Sequence, residues 1–267
     1  MINRHYMAKI IFLGTAAAVA TAKRDNTALL IKTQKEQILV DAPGSLIQKL
    51  TKTNIDFRKI STVFFTHSHP DHIYGIISLL HSQYRLKNRM HIYAHPSVII
   101  LVKALRKIFQ LEDTSKYPKL IYHKIKTGSK RPFYSSAEVK VSAFKVEHTP
   151  ESLGFKFLFK RKAKTLVFSG DTALSQNLLK EAYQADYLIH DCFAPQRIFK
   201  KYPRLYKMHT SGLLLGEIAC SCQVKVVVPI HFGGEVKYTS AEIIREIKRN
   251  FPGKVIIPAD LKTLTLN

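Results

Sequence analysis

Short apolar runs recur along the whole chain, and polar or turn-forming residues bound most of them. Runs of this length that are rich in β-branched and aromatic residues predict buried strands. The clearest examples are Ile38–Val40, Val63–Phe65, Val139–Val146 and Val226–Ile230. Strands predominate before residue 67, so the first part of the chain is expected to build a sheet.

After residue 67, strands alternate with amphipathic segments that have helical spacing of their apolar residues. These segments are Asp71–Leu80, Ser97–Phe109, Ser175–Tyr183 and Ser240–Phe251. The order of strands and helices fits an α/β (α+β) protein, a four-layer αββα sandwich. The chain has 267 residues, 46% of them hydrophobic, and no Pro/Ser/Gly-rich linker, which predicts one domain over residues 1–267.

The segment His67-Ser68-His69-Pro70-Asp71-His72 places four metal-capable side chains within six residues, just after a predicted strand. On a loop between a strand and a helix, His67 and His69 can bind one ion. Asp71 and His72 can then turn toward a second ion about 3.5–4 Å away. The alternative is a surface cluster of histidine and aspartate that binds no metal.

The pattern His-x-His-x-Asp-His resembles the signature of the metallo-β-lactamase superfamily. The following segment Ile73–Leu80 is similar to the ribonuclease Z branch of that superfamily. Residues Ile10–Ile31 also resemble the opening strand, Gly-Thr turn and second strand of this branch, with alanines in place of the glycines that follow the turn. The resemblance implies a metallo-β-lactamase-like sandwich and a hydrolase that uses two metal ions.

The same resemblance implies further site residues, each just beyond an apolar strand. Asp41 would hold the segment His67–His72, which we call the histidine loop, without binding a metal. The ligands of the first ion would be His67, His69 and His148, those of the second Asp71, His72 and His231, with Asp171 bridging both. Neutral imidazole and carboxylate suit two divalent ions, zinc first, with Mn²⁺ or Fe²⁺ as alternatives. Taken alone, any of the later residues is also compatible with an ordinary cap or turn.

Two later segments resemble a motif pair of ribonuclease Z. His190-Asp191-Cys192-Phe193 is similar to the family's His-Glu-Ala-Thr-Phe, and His209-Thr210-Ser211 is similar to its His-Ser-Thr. The resemblance implies that His209 protonates the leaving group with Asp191 behind it, while Asp71 orients or deprotonates the attacking water. The side chain of Asp191 is shorter than that of the family's glutamate. The alternative for His209 is a residue near the N-cap of a helix from Gly212 to Cys220.

The chain has 42 basic and 19 acidic residues, a formal charge of +23, which favours polyanionic partners. Five cations and three aromatic rings alternate immediately before His209. We call the cations of this segment the basic lip: Arg197, Lys200, Lys201, Arg204 and Lys207. They predict contacts with RNA phosphates, and the alternative is a solvated surface. Two further basic clusters, Lys124–Arg131 and Lys160–Lys164, have the same two interpretations.

The chain lacks one element of the family. Members that process tRNA usually carry a long glycine- and proline-rich arm before the bridging aspartate. Only 22 residues separate His148 from Asp171, and they predict a hairpin of Leu153–Phe159 and Thr165–Phe168. The leading substrate is the 3′ region of precursor tRNA. The alternatives are a cyclic or small phosphodiester, a lactonase-like reaction, or an RNA-binding protein without catalysis on the same fold.

Three cysteines, an odd number, argue against a disulfide framework and favour a reducing, cytoplasmic location. The apolar run Ile10–Ala22 has the composition of a signal peptide, but it coincides with the expected first strand and turn, so we predict retention rather than secretion. The sequence has no apolar stretch of 18 residues, which predicts no membrane span and no membrane partner. The oligomeric state stays open, a homodimer included.

Overall fold

The computed structural model describes residues 7–129 and 131–267, so Lys130 in the second basic cluster and the first six residues of the predicted domain lie outside the described part. Within the described part there are fourteen strands: β1 (Lys9–Gly14), β2 (Ala28–Lys32), β3 (Gln37–Val40), β4 (Thr62–Phe64), β5 (Arg89–Ala94), β6 (Lys119–Lys124), β7 (Tyr134–Ser135), β8 (Val139–Lys145), β9 (Leu153–Phe159), β10 (Lys164–Phe168), β11 (Tyr187–Asp191), β12 (Val226–Ile230), β13 (Lys254–Val255) and β14 (Thr263–Thr265).

The same residues form eight α-helices: α1 (Leu46–Lys52), α2 (Pro70–Ile73), α3 (Gly75–Ser82), α4 (Pro96–Ile108), α5 (Gln176–Ala182), α6 (Gln196–Lys201), α7 (Gly212–Ser221) and α8 (Ser240–Asn250). Short 3₁₀ helices cover Phe57–Lys59 and Pro203–Lys207. Among the described residues, no helix has the length and apolar character needed to cross a bilayer.

The chain divides into two compact units. The first contains the described residues up to Gly14, Lys23–Ile125 and Ala259–Asn267, and the second contains Thr15–Ala22 and Lys126–Pro258. Each unit has its own sheet and its own helices. The expectation of a single domain over residues 1–267 stays a prediction.

The sheet of the first unit has seven strands in the order β14-β1-β2-β3-β4-β5-β6. Strands β3 to β6 run parallel to one another, whereas β14, β1, β2 and β3 pair antiparallel. Helices α1, α3 and α4 cover one face with fully buried side chains such as Leu50, Leu79 and Val102. Because β4 is an inner strand, the histidine loop leaves from the carboxyl end of a strand that is fixed on both sides.

The sheet of the second unit also has seven strands, in the order β13-β12-β11-β10-β9-β8-β7. Strands β10 to β13 are parallel, and β7 to β10 are antiparallel. Helices α5, α7 and α8 pack on it around buried residues such as Leu188, Leu215 and Ile243. The carboxyl ends of the parallel strands β10, β11 and β12 lie side by side, which brings the residues that follow them together.

The structure modifies one predicted helix. The segment Asp71–Leu80 begins one residue earlier, at Pro70, and is divided at Tyr74 into α2 and α3. The Gly75 N–H donates to the Ala42 carbonyl at 2.6 Å instead of continuing the helical ladder. A Cβ at position 75 would lie 1.9 Å from the Pro43 oxygen, so only glycine permits this close approach. The division therefore has a tertiary cause.

Candidate metal-binding and catalytic residues

The histidine loop of the first unit brings two ring nitrogens together. His67 Nε2 lies 3.0 Å from His69 Nδ1, and His67 Nδ1 lies 3.0 Å from Thr66 Oγ1. The Thr66 hydroxyl donates its proton to Asp41, so its oxygen accepts from His67 Nδ1–H. His67 is therefore held in the tautomer whose Nε2 offers a lone pair toward His69. This is the form of histidine that binds a metal ion.

Asp41 holds this loop from the end of β3. Its carboxylate accepts hydrogen bonds from Thr66 N, Thr66 Oγ1 and His72 Nδ1, each at 2.8 Å. The residue is fully buried and has φ +61°, a left-handed conformation that aspartate adopts more readily than most residues. Burial raises the pKa of Asp41, although His72 and Thr66 oppose this shift.

His72 is oriented by the same carboxylate. With Nδ1 donating to Asp41, His72 Nε2 faces Asp71 Oδ2 at 3.4 Å. A carboxylate behind the remote nitrogen of a histidine is the usual second partner of a metal-binding imidazole. The structure therefore collects His67 and His69 on the loop after β4 and Asp71 and His72 on α2, which follows it directly, with Asp41 behind them.

In the second unit, Asp171 stands between two histidines. Its Oδ2 lies 2.9 Å from His231 Nε2 and 3.9 Å from His148 Nε2. His148 Nδ1 donates to the Met208 carbonyl at 2.9 Å. Burial lowers the pKa of His148, with Asp171 acting in the opposite direction, and a neutral imidazole is the form that binds metal. His231 follows β12 with φ +64°, a conformation uncommon outside functional turns.

Asp191, the last residue of β11, supports His209. Its Oδ2 lies 2.8 Å from His209 Nδ1 and accepts from the Thr172 N–H at 3.0 Å. Its Oδ1 lies 3.7 Å from His231 Nδ1. Burial raises the pKa of Asp191, but the interactions with His209 and His231 outweigh it, so the net pKa is below the ordinary value. The shorter arm of aspartate thus reaches His209 directly.

The surroundings of His209 separate it from the helix that follows. Its ring stacks on Phe193, with centroids 4.9 Å apart and planes 20° from parallel. The N-cap of α7 is Ser211, whose hydroxyl accepts from the Leu214 N–H at 3.3 Å. His209 is therefore outside the cap itself, and its role as proton donor stays a prediction.

The donor sets of both units suit divalent metal ions. Within the second unit, the ligand atoms of His148, Asp171 and His209 lie within 4.8 Å of one another, as do those of Asp191, His209 and His231. All these donors are imidazole nitrogens or carboxylate oxygens, the ligands that zinc and similar ions prefer. The remote nitrogens of His72, His148 and His209 are each held by a carboxylate or a carbonyl. The chemistry of the donors fits a metal.

The residues of the basic lip lie on α6 and on the 3₁₀ helix Pro203–Lys207. The sequence had predicted no helix in this segment. Arg197 makes a two-pronged pair with Glu242, at 2.7 and 3.2 Å, and donates to the Lys237 carbonyl. Its guanidinium is therefore already engaged. The other four cations are exposed, and Lys201 lies 5.2 Å from the ring centroid of Tyr202. RNA binding by the lip stays a prediction.

Sequence reasoning missed two groups that orient these histidines. Thr66 links Asp41 to His67, and the Met208 carbonyl fixes His148. A hydroxyl residue directly before the histidine motif was a usable signal for Thr66. No sequence signal identifies Met208, because its contribution comes from the backbone and joins residues 60 positions apart.

Comparisons with known proteins agree with this geometry. Ribonuclease Z of Archaeoglobus fulgidus is 19% identical, covering 93% of this chain and 94% of the relative. Ribonuclease Z of Saccharolobus solfataricus is 23% identical, covering 97% of this chain and all of the relative. The prediction that the chain is a ribonuclease Z-like member of the metallo-β-lactamase superfamily is confirmed. The prediction that it is a metal-dependent hydrolase is confirmed as well.

Solved structures show the same fold. The metallo-β-lactamase fold protein YhfI from Bacillus subtilis has a TM-score of 0.80 at 19% identity, covering 97% of this chain and 100% of that one. Human tRNase Z, short form, has a TM-score of 0.79 at 20% identity, covering 97% and 99%. Zn²⁺-bound PqqB from Methylobacterium extorquens has a TM-score of 0.75 at 16% identity, covering 97% and 100%. The predicted mixed α/β, metallo-β-lactamase-like fold is confirmed.

A family model described as anti-Pycsar protein Apyc1 matches residues 8–211, which is more than half of the chain and includes the histidine loop, Asp171, Asp191 and His209. The match ends before α7, so it leaves His231 outside. The chain belongs to the anti-Pycsar protein Apyc1 family, on a metallo-β-lactamase fold of the ribonuclease Z type.

Proposed function

We propose that this metal-dependent hydrolase cleaves phosphodiesters with two divalent metal ions, and that zinc is the preferred metal. The proposed ligands are His67, His69, Asp71, His72, His148, Asp171 and His231. Two such ions, when bound, polarise phosphoryl oxygens and lower the pKa of water. The oriented imidazoles and the carboxylate of Asp171 support this assignment.

The protein's own groups would carry the proton transfers. Asp71, 11% exposed at its side chain beside His72, would orient or deprotonate the attacking water. His209 would deliver a proton to the departing oxygen from Nε2, because Nδ1 is committed to Asp191 at 2.8 Å. Asp191 has a lowered pKa, so it stays ionised and stabilises the protonated ring of His209.

The segment between His148 and Asp171 favours a small phosphodiester, cyclic or linear, as the substrate. It consists of a turn, β9, a four-residue connection and β10, with Lys164 paired opposite Phe159. The turn and the hairpin account for nearly all residues of this segment. No further residues remain to form an arm that binds the distant part of a tRNA. A small substrate needs no such arm, because binding at the reacting phosphate suffices.

Precursor tRNA is the second candidate substrate. The basic lip favours it, because Lys200, Lys201, Arg204 and Lys207 are exposed next to His209 in the chain. The relatives named ribonuclease Z point in the same direction. In this case RNA contacts would come from the lip rather than from an arm.

We also propose a cytoplasmic location. All three cysteines are unpaired, with Cys192 and Cys222 buried and Cys220 exposed. A protein that keeps free thiols of this kind suits a reducing compartment.

A cleavage assay tests the proposal on three substrates: bis-p-nitrophenyl phosphate, a cyclic nucleotide and precursor tRNA. Metal content is measured on the same sample, with about two ions per chain expected. The wild type should hydrolyse both small diesters, and Asp71→Ala should remove this activity. His95 is a half-buried residue at the N-cap of α4 and is not one of the proposed ligands, so His95→Gln provides the control. If only precursor tRNA were cleaved, it would replace the small phosphodiester as the leading substrate. If none of the three substrates were hydrolysed, the proposed function would be refuted.

A further inference from the structure

Glu246 of α8 is a buried carboxylate for which no role has been assigned. The residue is 9% exposed, and no lysine or arginine among the described residues forms an ion pair with it. A buried carboxylate needs strong hydrogen bonds in place of water. Glu246 obtains them from backbone amides: Gln196 N at 3.0 and 2.9 Å to its two oxygens, and Leu213 N at 3.1 Å to Oε2.

These two amides belong to the first turns of different helices. Gln196 is the first residue of α6, whose N-cap, Pro195, offers no side-chain hydrogen bond. Leu213 lies in the first turn of α7. The free N–H groups of a helix start need acceptors, and a negative charge is favoured there. Glu246 therefore caps two helices with a single carboxylate.

The two capped amides, at Gln196 and Leu213, are the ends of the segment 196–213, and Glu246 holds these ends together. At its base, the Gly212 N–H donates to the Ala194 carbonyl at 3.2 Å. The Gln196 side chain spans the segment, because its Oε1 accepts from Ser211 Oγ at 2.6 Å and its Nε2 donates to Tyr206 Oη at 2.7 Å. Displacing the base would therefore move the whole segment.

This segment carries both His209 and the backbone contact to His148. The His209 N–H donates to the Leu205 carbonyl at 2.8 Å, and the Met208 carbonyl accepts from His148 Nδ1 at 2.9 Å. We propose that Glu246 is a positioning residue that acts through this segment to aim His209 at the leaving group. This role rests on the proposed function.

Gly212 supplies a second observation for the same role. A Cβ added to Gly212 would lie 2.9 Å from Glu246 Oε2 and 3.3 Å from Glu246 Cβ. The helix start approaches the carboxylate this closely only because residue 212 has no side chain. Gly212→Ala would thus displace the carboxylate without changing the charge of the protein.

Three variants test the role of Glu246. Glu246→Gln keeps one acceptor oxygen and Glu246→Ala keeps none, while Gly212→Ala moves the intact carboxylate. Glu217→Gln, an exposed position on α7, is the control with the same loss of charge. Hydrogen exchange of the amides of residues 196–213 should accelerate by about tenfold or more in the three variants, and stay unchanged in the control.

Turnover then distinguishes positioning from general damage. For a substrate with a ribose hydroxyl as leaving group, kcat should fall by about 10- to 100-fold in Glu246→Gln, because proton delivery depends on alignment. For bis-p-nitrophenyl phosphate, whose leaving group needs no proton, the fall should be less than about threefold. The KM values should change little, because Glu246 contacts no proposed ligand.

Unchanged exchange of residues 196–213, or equal losses on the two substrates, would overturn the positioning role. If Glu246→Ala does not fold, Glu246→Gln and Gly212→Ala decide the matter. If the wild type hydrolyses neither substrate, the proposed function fails, and the exchange rates alone still decide whether Glu246 holds the segment.

Discussion

Replacing Asp41 by asparagine should loosen the histidine loop and weaken metal binding at the same time. The carboxylate accepts three hydrogen bonds at 2.8 Å, from Thr66 N, Thr66 Oγ1 and His72 Nδ1. Asparagine has the same size, but one of its two terminal atoms is an NH₂ group. That group would face a donor, so at least one hydrogen bond at the Oδ2 position is lost.

The expected loss of stability follows from burial. Asp41 and His72 are both fully buried, so water cannot replace the missing partner. Hydrogen bonds to charged groups contribute about 1.5–3 kcal/mol each, and a buried donor left without a partner costs about 1–3 kcal/mol. The variant keeps the Thr66 N–H interaction and removes a buried charge whose pKa is already raised. We therefore expect the free energy of unfolding to fall by about 2–4 kcal/mol.

Metal affinity should fall by about 10- to 100-fold, the usual effect of removing the carboxylate behind a metal-binding histidine. Urea unfolding of the metal-free protein measures the first effect, and competition with a zinc chelator measures the second. Asp56→Asn is a control in the same unit, because its carboxylate pairs with Arg58 at the surface. Unchanged stability and unchanged zinc affinity in Asp41→Asn would refute the assignment of Asp41 as the residue that holds the loop.

Three further predictions concern catalysis, RNA binding and acid stability. His209→Ala should reduce turnover far more for a ribose leaving group than for p-nitrophenolate, with metal content unchanged, and equal losses would mean that His209 only positions the substrate. In an Asp71→Ala background, Lys200→Ala with Lys201→Ala should weaken RNA binding and flatten its dependence on salt by a slope of roughly 0.7–0.9 per contact, and an unchanged slope would remove these lysines from the RNA surface. Burial raises the pKa of Asp186, but hydrogen bonds from the Thr165 N–H, Lys225 and Lys164 outweigh it and lower the pKa from 3.8 to about 2. Its contribution, about 1–2 kcal/mol after solvent screening, is complete only above about pH 5, clear of the unfolded pKa, and is lost progressively as the pH falls through the folded pKa to about 1; urea titrations should show this loss in the wild type and not in Asp186→Asn.

The sequence predicted those features that depend on neighbours along the chain. Strands such as Val226–Ile230 and helices such as Ser240–Asn250 follow from apolar periodicity within a few residues. The histidine motif lies within six residues and follows a strand that apolar periodicity predicts, although Asp41 from another strand holds its geometry. Asp191 and His209 were paired from a resemblance, and the structure places their side chains 2.8 Å apart.

Features that arise from distant contacts were not predictable. The division of the helix at Tyr74 depends on a carbonyl at Ala42, and the clamp of Glu246 joins residues 33 and 50 positions apart. Arg197 looked like a free cation in the sequence, but Glu242 binds it from 45 positions away. Local periodicity carries no information about which distant backbone group or charge will meet a given residue.

The contact between the Met208 carbonyl and His148 has a practical consequence for mutagenesis. The segment of residues 197–208, which carries the basic lip, exposes side chains to the solvent and places the Met208 carbonyl oxygen 2.9 Å from His148 Nδ1. An alanine scan removes only side chains, so it tests the proposed RNA contacts of the segment but overlooks the main-chain contact to His148. Changes that move the main chain, such as a one-residue deletion between Pro203 and Lys207 or an ester bond in place of the amide after Met208, are needed to reveal it. The proposed RNA contacts of the side chains and the main-chain contact to His148 are thus separable by the type of mutation chosen.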